Sequence, residues 1–129
     1  MRVAPVRLAK KFHLLLLKPD FAVPTPWAYS RWSDSRELPG IDYSAQELDE
    51  IRFFNDLERP VFEKFVFLAE LKTWLRRQPA VAVALMSGSG STMFAVLEED
   101  ANAEELAGRA RSEVDPTLWT FSTRLYASD

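Results

Sequence analysis

Residues 80–97 have the sequence AVAVALMSGSGSTMFAVL. Two apolar runs, 80–86 and 92–97, flank a stretch made only of serine and glycine, Ser87–Ser91. Short apolar runs bounded by turn residues are typical of buried strands, and glycine reaches the positive φ angles that tight turns need. The segment therefore predicts two neighbouring strands joined by a glycine loop.

Two further strands are predicted near the ends of the chain. Residues 13–18 form a short apolar run that ends at a proline, and such a run suits a buried strand. Residues 118–125 alternate in character, so that Trp119 and Phe121 point to one face of a sheet and Thr120 to the other.

Helical spacing occupies much of the remaining chain. Leu68, Leu71 and Leu75 recur at the interval of one helix face, and this helix is expected to end near Pro79. Residues 102–114 are amphipathic and predict another helix.

Two more helix starts are indicated by capping residues. Thr25 stands where a cap would precede Pro26, and proline is favoured at the first helical position. Ser44 and Glu47 have the spacing of a capping box, which predicts a helix that carries Ile51 on its apolar face.

The predicted order is strand, three helices, two strands, helix and strand. Antiparallel strands with helices on one face make an α+β fold, a two-layer ferredoxin-like sandwich with a sheet of about four strands. The chain of 129 residues has the size of a single domain. We place that domain at residues 13–129 and expect a lead-in strand or linker at residues 1–12.

Composition excludes several classes of site. The chain has no cysteine, which excludes disulfides and thiolate chemistry. His13 is the only histidine, so a metal centre or a serine triad is not favoured. A net charge of −3 gives no reason to expect nucleic acid or an anionic membrane as partner. The apolar run Leu14–Leu17 is too short to span a bilayer, and we expect a soluble, cytoplasmic protein.

The glycine loop is open to two interpretations. Glycine lets the backbone approach a ligand, and serine hydroxyls beside backbone N–H groups can hold phosphate. An ordinary hairpin turn without a ligand explains the same residues. Known phosphate motifs do not match, because a Walker A loop needs lysine where Ser91 stands and a dinucleotide fingerprint needs glycine where Met93 stands.

Two other segments have a functional and a purely structural interpretation. Residues 25–29 could place a helix N-terminus beside the Tyr29 ring, which suits an anionic or heterocyclic substrate, although a cap and a packing residue explain them equally. Residues 55–58, Asn-Asp-Leu-Glu, contain two carboxylates, and we interpret them as a helix start with acids at its positive end.

Taken together, these segments resemble one family. The 4-diphosphocytidyl-2-C-methyl-D-erythritol kinases have similar segments, in the same order and at similar spacing, in their C-terminal half: Leu17-Lys18-Pro19, Thr25-Pro26 with Tyr29, Asn55–Glu58, and Met86–Thr92 followed by Phe94. The glycine loop resembles the third conserved motif of the GHMP superfamily of galactose, homoserine and mevalonate kinases. The resemblance covers residues 13–125.

The resemblance implies an ATP-dependent, Mg²⁺-assisted kinase of the methylerythritol phosphate route to isoprenoids. It also implies that the ATP loop and the catalytic Asp and Lys lie in an N-terminal domain outside this sequence, so that no catalytic residue is expected here. The isolated chain is therefore expected to be inactive and to bind neither ATP nor Mg²⁺ tightly. The expected partners are the small-molecule substrate, the N-terminal kinase domain and, through exposed inter-domain surface, another copy of the chain.

The resemblance assigns residues to two parts of a cleft. The residues that border the substrate are Thr25, Pro26 and Tyr29. The residues of the loop near the phosphates are Ser87, Gly88, Ser89, Gly90, Ser91 and Thr92.

Some residues depart from the family pattern. Trp27 and Trp32 flank Tyr29, and residues 65–67 replace the usual proline break between two helices, so those helices are either continuous or broken in another way. A surface that meets a second domain should be apolar, and Trp27, Tyr29 and Phe94 are candidates for it. The alternative is a stand-alone ligand-binding or interaction module.

Overall fold

The computed structural model describes residues 11–126 as an α+β fold, which confirms the predicted class. Its elements in chain order are β1 Lys11–Lys18, α1 Thr25–Ser30, β2 Gln46–Leu48, β3 Ile51–Phe53, α2 Glu58–Lys64, α3 Val66–Arg76, β4 Val81–Met86, β5 Met93–Leu97, α4 Ala103–Glu113 and β6 Trp119–Tyr126.

Four strands form one antiparallel sheet in the order β4-β5-β1-β6. The hairpin β4–β5 pairs Met86 with Met93 and turns through the glycine loop. β1 lies between β5 and β6 and pairs with both of them. The predicted four-stranded sheet is therefore confirmed, with the first strand of the chain inside it and β4 and β6 at its edges.

The main core lies between this sheet and the helices. Alternate residues of β1 and β5 face the helical layer, and Leu15 and Ala95 among them are at most 1% exposed. Phe62 of α2 is fully buried in the same cluster, and burial of a side chain of this size contributes roughly 1.5–3 kcal/mol. The predicted face of α3 packs here: Leu68, Leu71 and Leu75.

The predicted helix at Ser44 is wrong, because residues 46–53 form the hairpin β2–β3. The Ser44 side chain does not cap a helix, since its hydroxyl and backbone N–H both donate to Asp42. Asp49 and Glu50 have φ angles of 53° and 68°, which makes the two-residue turn that a hairpin requires. The hairpin covers a second core cluster on the other face of the sheet, around Ile51.

Thr25 is not the helix cap that the sequence predicts. Pro24 occupies the N-cap position without any side-chain hydrogen bond, and Pro26 follows within the first turn. The helix ends at Ser30. The Thr25 hydroxyl is therefore available for another partner.

The helical conformation is interrupted between α2 and α3 at Phe65, whose φ and ψ are −105° and 72°. The Phe65 ring stacks on Phe21 with centroids 5.2 Å apart and meets Trp27 edge-on at 5.7 Å. The two helices are therefore not continuous, and an aromatic cluster stands at the break between them.

Most of the predicted lead-in segment, residues 1–10, lies outside the described residues, while Lys11 and Phe12 belong to β1. Within residues 11–126, no helix has the length and apolar character needed to cross a membrane.

Candidate functional site

The glycine loop is a six-residue hairpin turn between β4 and β5. The N–H of Ser87 donates to the carbonyl of Thr92 at 2.9 Å, and the N–H of Gly90 donates to the carbonyl of Ser87 at 3.0 Å. Gly88 and Gly90 have φ angles of 58° and 85°, a region that side chains other than glycine rarely adopt. The two glycines are therefore required by the turn itself.

Gly90 is also restricted by its neighbours. A Cβ atom at this position would lie 2.9 Å from the sulfur of Met86 and 3.6 Å from the Leu68 side chain. A Cβ at Gly88 would meet nothing within 4 Å. The second half of the loop is thus packed onto the core, whereas the first half is exposed.

The serines of the loop point in different directions. Ser91 is only 3% exposed, and its hydroxyl donates to the carbonyl of Phe21. Ser87 is exposed, and Ser89 is half-buried. Among the predicted phosphate-side residues, Ser91 therefore anchors the loop to the segment between β1 and α1.

The two predicted parts of the cleft lie side by side. The hydroxyl oxygens of Thr25 and Ser89 are 2.9 Å apart and hydrogen-bonded, although 64 residues separate them in the chain. Pro26 is exposed, and Tyr29, one helical turn after Thr25, is 65% exposed. The N-terminal end of α1 and the glycine loop thus form one continuous surface.

A surface depression adjoins this contact. Its lining residues are Tyr29, Trp32, Phe54, Asn55, Asp56, Leu57 and Gly88. The rings of Tyr29, Trp32 and Phe54 are between 44% and 65% exposed, so flat apolar surfaces lie beside polar groups. Such a combination suits a ligand that has a planar ring and polar substituents.

Sequence reasoning missed Trp32 and Phe54 as members of this depression. Trp32 follows α1, where the Arg59 guanidinium lies 4.7 Å from its ring centroid. Phe54 follows β3, which the sequence predicts as helix. Alternation of Leu48, Ile51 and Phe53 around a two-residue turn was the available signal for that hairpin.

Asn55 contacts the glycine loop directly. Its Nδ2 donates to the carbonyls of Met86 and Gly88, each at 2.7 Å. Its Oδ1 accepts from the N–H of Leu57 at 2.9 Å. The helix start predicted here exists, although the N-cap residue is Leu57, and the Asn55 side chain joins it to the loop.

Glu58 is buried and does not form a capping box. Its Oε1 lies 2.6 Å from Nζ of Lys72, and both side chains are 2% exposed. Its Oε2 accepts from the N–H of Met86 at 3.0 Å, and Lys72 also donates to the carbonyl of Asp42. Burial raises the pKa of Glu58, and the Lys72 charge opposes that rise. The ion pair ties α2 and α3 to the end of β4.

A second depression lies at the opposite end of the sheet. It is lined by His13, Glu98 and Arg124, among others, and contains none of the predicted site residues. His13 is 9% exposed, and within residues 11–126 its Nδ1 has no hydrogen-bond partner. Burial and the Arg124 charge lower the pKa of His13.

The described residues form no cluster of three or more His, Asp or Glu side chains that could hold a metal ion. The depression beside the glycine loop offers one carboxylate, that of Asp56. Mg²⁺ is commonly held by one or two carboxylates together with substrate phosphates. Among residues 11–126, the depression therefore presents a single carboxylate, which would fit a Mg²⁺ site completed by other groups.

Comparison with known proteins gives a family match. The family described as "GHMP kinases C terminal" matches residues 42–115, more than half of the chain. A 4-diphosphocytidyl-2-C-methyl-D-erythritol kinase of Methylacidiphilum infernorum is 35% identical over 107 residues, which cover 81% of this chain and 37% of the relative.

Other curated relatives give the same result. Kinases with the same name from Thermodesulfovibrio yellowstonii and Chlorobaculum parvum are 32% and 34% identical, and the matches cover 80% and 84% of this chain. The same matches cover 40% and 42% of the relatives. The chain thus spans about two fifths of the length of the relatives that it matches.

Proposed function

Since this chain belongs to the family of GHMP kinase C-terminal domains, we propose that it is the substrate-side domain of an ATP-dependent kinase for 4-diphosphocytidyl-2-C-methyl-D-erythritol. The proposed reaction transfers a phosphoryl group to the hydroxyl on carbon two of that substrate, in isoprenoid precursor synthesis. The observation that carries the proposal is the hydrogen bond between Thr25 and Ser89. It joins the segment expected beside the substrate to the loop expected beside the phosphates.

The residues of this chain have positioning roles in the proposed reaction. The exposed ring of Tyr29 offers a face for the planar base of the substrate, with Pro26 beside it. The hydroxyl of Ser89 and the backbone of the glycine loop lie next to it and would contact phosphate oxygens. Phosphoryl transfer depends mainly on such positioning and on neutralisation of charge. Holding the acceptor hydroxyl in line with the γ-phosphate is therefore the contribution that this domain can make.

In the proposed reaction, the acidic and basic groups that complete catalysis belong to a part of the kinase outside this chain. No lysine is among the residues that line the depression beside the loop. ATP and Mg²⁺ would supply the transferred group and the charge neutralisation, and they would be held mainly by the part of the relatives that this chain does not match. We therefore expect the chain alone to have no kinase activity and no tight affinity for ATP.

An apolar surface is available for contact with a second domain. Trp119 and Phe121 of β6 are 53% and 52% exposed, with their rings stacked 6.1 Å apart. Leu16, the strand partner of Phe121, is half-buried on the same face. We propose that this face and the Tyr29 surface meet the N-terminal kinase domain, and that without it they favour self-association.

The aromatic residues expected on that surface are exposed to different degrees. Tyr29 is largely exposed, whereas Trp27 and Phe94 are half-buried against Phe65 and Phe53. A stand-alone ligand-binding module remains the alternative, and it predicts ligand binding without a second domain. Sedimentation velocity separates the two proposals, because a concentration-independent monomer would count against the exposed inter-domain surface.

The proposed function is tested by joining this chain to the N-terminal half of the Methylacidiphilum infernorum kinase. ATP-dependent phosphorylation of 4-diphosphocytidyl-2-C-methyl-D-erythritol is measured for the joined protein and for the chain alone. We expect activity only in the joined protein. Activity of the chain alone, or a folded but inactive joined protein beside an active re-joined M. infernorum control, would contradict the proposal.

A further inference from the structure

The segment Asn55–Glu58 binds both backbone groups of Met86, the residue that precedes the glycine loop. Asn55 Nδ2 donates to the carbonyl of Met86 at 2.7 Å, and Glu58 Oε2 accepts from the N–H of Met86 at 3.0 Å. Asn55 reaches further and donates to the carbonyl of Gly88, also at 2.7 Å. The first half of the loop has free space around it, since a Cβ at Gly88 would meet nothing within 4 Å. A side chain from outside the hairpin therefore fixes this half of the loop.

The contacts of Asn55 decide which backbone groups of the loop remain available to a ligand. Phosphate oxygens accept hydrogen bonds, so a loop that faces phosphate has to direct N–H and O–H groups toward it and its carbonyls elsewhere. Asn55 engages the carbonyls of Met86 and Gly88. The carbonyl between them, that of Ser87, accepts from the N–H of Gly90. Three successive carbonyls are thus bound within the protein.

We infer that Asn55 is a positioning residue of the glycine loop: its carboxamide holds the carbonyl of Gly88 in the loop and that of Met86 just before it, and thereby leaves donor groups of the loop to face an anion. This inference rests on the proposed function, because it names the residue that prepares the loop for phosphate. It also gives Asn55 a role beyond that of a helix start. The positioning role requires a hydrogen-bond donor at Nδ2, whereas a helix cap requires only the acceptor oxygen Oδ1.

Substitution by aspartate separates the two roles. Asn55→Asp keeps the shape of the side chain and the Oδ1 that accepts from Leu57, but it replaces the donor with a second acceptor. A matched control is Asn102→Asp, because Asn102 caps α4 only through an oxygen that accepts from Glu105 at 3.0 Å. Aspartate and asparagine are about equally good at such a cap.

The first measurement compares backbone amide resonances and hydrogen exchange of the whole chain. In Asn55→Asp we expect the amide resonances of residues 86–92 to shift and these amides to exchange about tenfold faster. A change of this size corresponds to the loss of one hydrogen bond to a backbone group. The strand amides of β1 and β6 should not change. In Asn102→Asp the loop amides should stay as in the wild type. A loop unchanged in Asn55→Asp would overturn the inference.

A second measurement needs no variant and so does not depend on whether Asn55→Asp folds. Scalar couplings across hydrogen bonds in the wild-type chain should connect the Asn55 side-chain nitrogen to the carbonyl carbons of Met86 and Gly88. Their absence would overturn the inference.

Titration with tripolyphosphate distinguishes this inference from the proposed function. We expect weak, saturable shifts of the loop amides in the wild type and at least a tenfold weaker response in Asn55→Asp, since a carboxylate repels the anion and the carbonyls lose their donor. An equal response in both proteins would overturn the positioning role. A wild-type loop that does not respond would contradict the phosphate-side role in the proposed function, and the couplings would then decide only how the loop is shaped.

Discussion

At the scale of single residues, the two glycines of the loop differ in what they tolerate. Both have positive φ angles, 58° at Gly88 and 85° at Gly90, and a residue with a side chain loses about 1–2 kcal/mol in that region. Only Gly90 also lacks space, because a Cβ would lie 2.9 Å from the buried sulfur of Met86.

We therefore expect Gly88→Ala and Gly90→Ala to destabilise the chain unequally. Gly88→Ala should cost about 1 kcal/mol from backbone strain alone, and Gly90→Ala should cost about 1–3 kcal/mol more, because Met86 has to move. Urea unfolding of the wild type and both variants measures the difference. Equal costs would mean that the loop is not packed onto Met86.

Asp42 gives the chain a pH dependence with a definite sign. The Ser44 hydroxyl and backbone N–H and the Arg76 guanidinium lower the pKa of Asp42 to about 2 from its ordinary 3.8. A carboxylate with a lowered folded-state pKa stabilises the protein above its unfolded-state pKa, and the contribution disappears as the pH falls through the folded-state value.

The wild type should therefore be more stable than Asp42→Asn at neutral pH, and the difference should shrink between about pH 4 and pH 2. Thermal unfolding of both proteins across this range measures it. More than half of the carboxylate side chain is exposed, so the effect should be small and should weaken with added salt. A difference that does not depend on pH would contradict the assigned cause.

At the scale of elements, the sequence predicts the sheet better than the segment that covers it. The strands around the glycine loop follow from apolar runs, α3 from its periodic leucines and α4 from its amphipathic spacing. The hairpin β2–β3 was missed because Ser44 and Glu47 imitate a capping box, whose contribution is about 1 kcal/mol. Burial of Ile51 and Gln46 against the sheet outweighs that local preference.

Gln46 shows why such a contact could not be found in the sequence. Its Nε2 donates to the carbonyl of Ala84 at 2.7 Å, and its Oε1 accepts from the N–H of Ala84 at 3.0 Å. Ala84 lies in β4, at the edge of the four-stranded sheet. The side chain thus completes the backbone hydrogen bonds of an edge strand that only the tertiary fold creates.

Gln46→Glu should destabilise the chain by about 1–3 kcal/mol, because the buried carbonyl of Ala84 loses its donor and faces another acceptor. The neighbouring Glu47 is exposed, so Glu47→Gln is the matched control and should be neutral within about 0.5 kcal/mol. Chemical denaturation of both variants checks the prediction. Equal stability of the two variants would show that the contact to the strand edge contributes nothing.

Some residues of the candidate site were predictable from the sequence, but Trp32, Phe54 and the contacts between segments were not. Residue types and order suggest Thr25, Tyr29 and the glycine loop, since helix starts and glycine turns have local signatures. The hydrogen bond from Thr25 to Ser89 and the contacts of Asn55 with the loop join distant segments. No local pattern encodes such pairs, because they depend on how α1 and α2 pack beside the end of β4.

At the scale of the whole molecule, the two ends of the sheet have different characters. The end with the glycine loop brings together α1, the aromatic depression and the Asn55 segment. The opposite end, near His13 and Leu97, which are paired between β1 and β5, contains none of these residues. We therefore expect ligand contact at the glycine-loop end only, and substitutions at the other end should not affect ligand affinity.

The most direct test of this assignment is the KM for 4-diphosphocytidyl-2-C-methyl-D-erythritol in the joined kinase. Tyr29→Ala should raise that KM about tenfold, the equivalent of about 1.4 kcal/mol of lost ring contact, and leave the KM for ATP unchanged. Glu99→Ala, an exposed change at the opposite end of the sheet, should alter neither value. An unchanged substrate KM in Tyr29→Ala, or an equal rise in Glu99→Ala, would contradict the assignment.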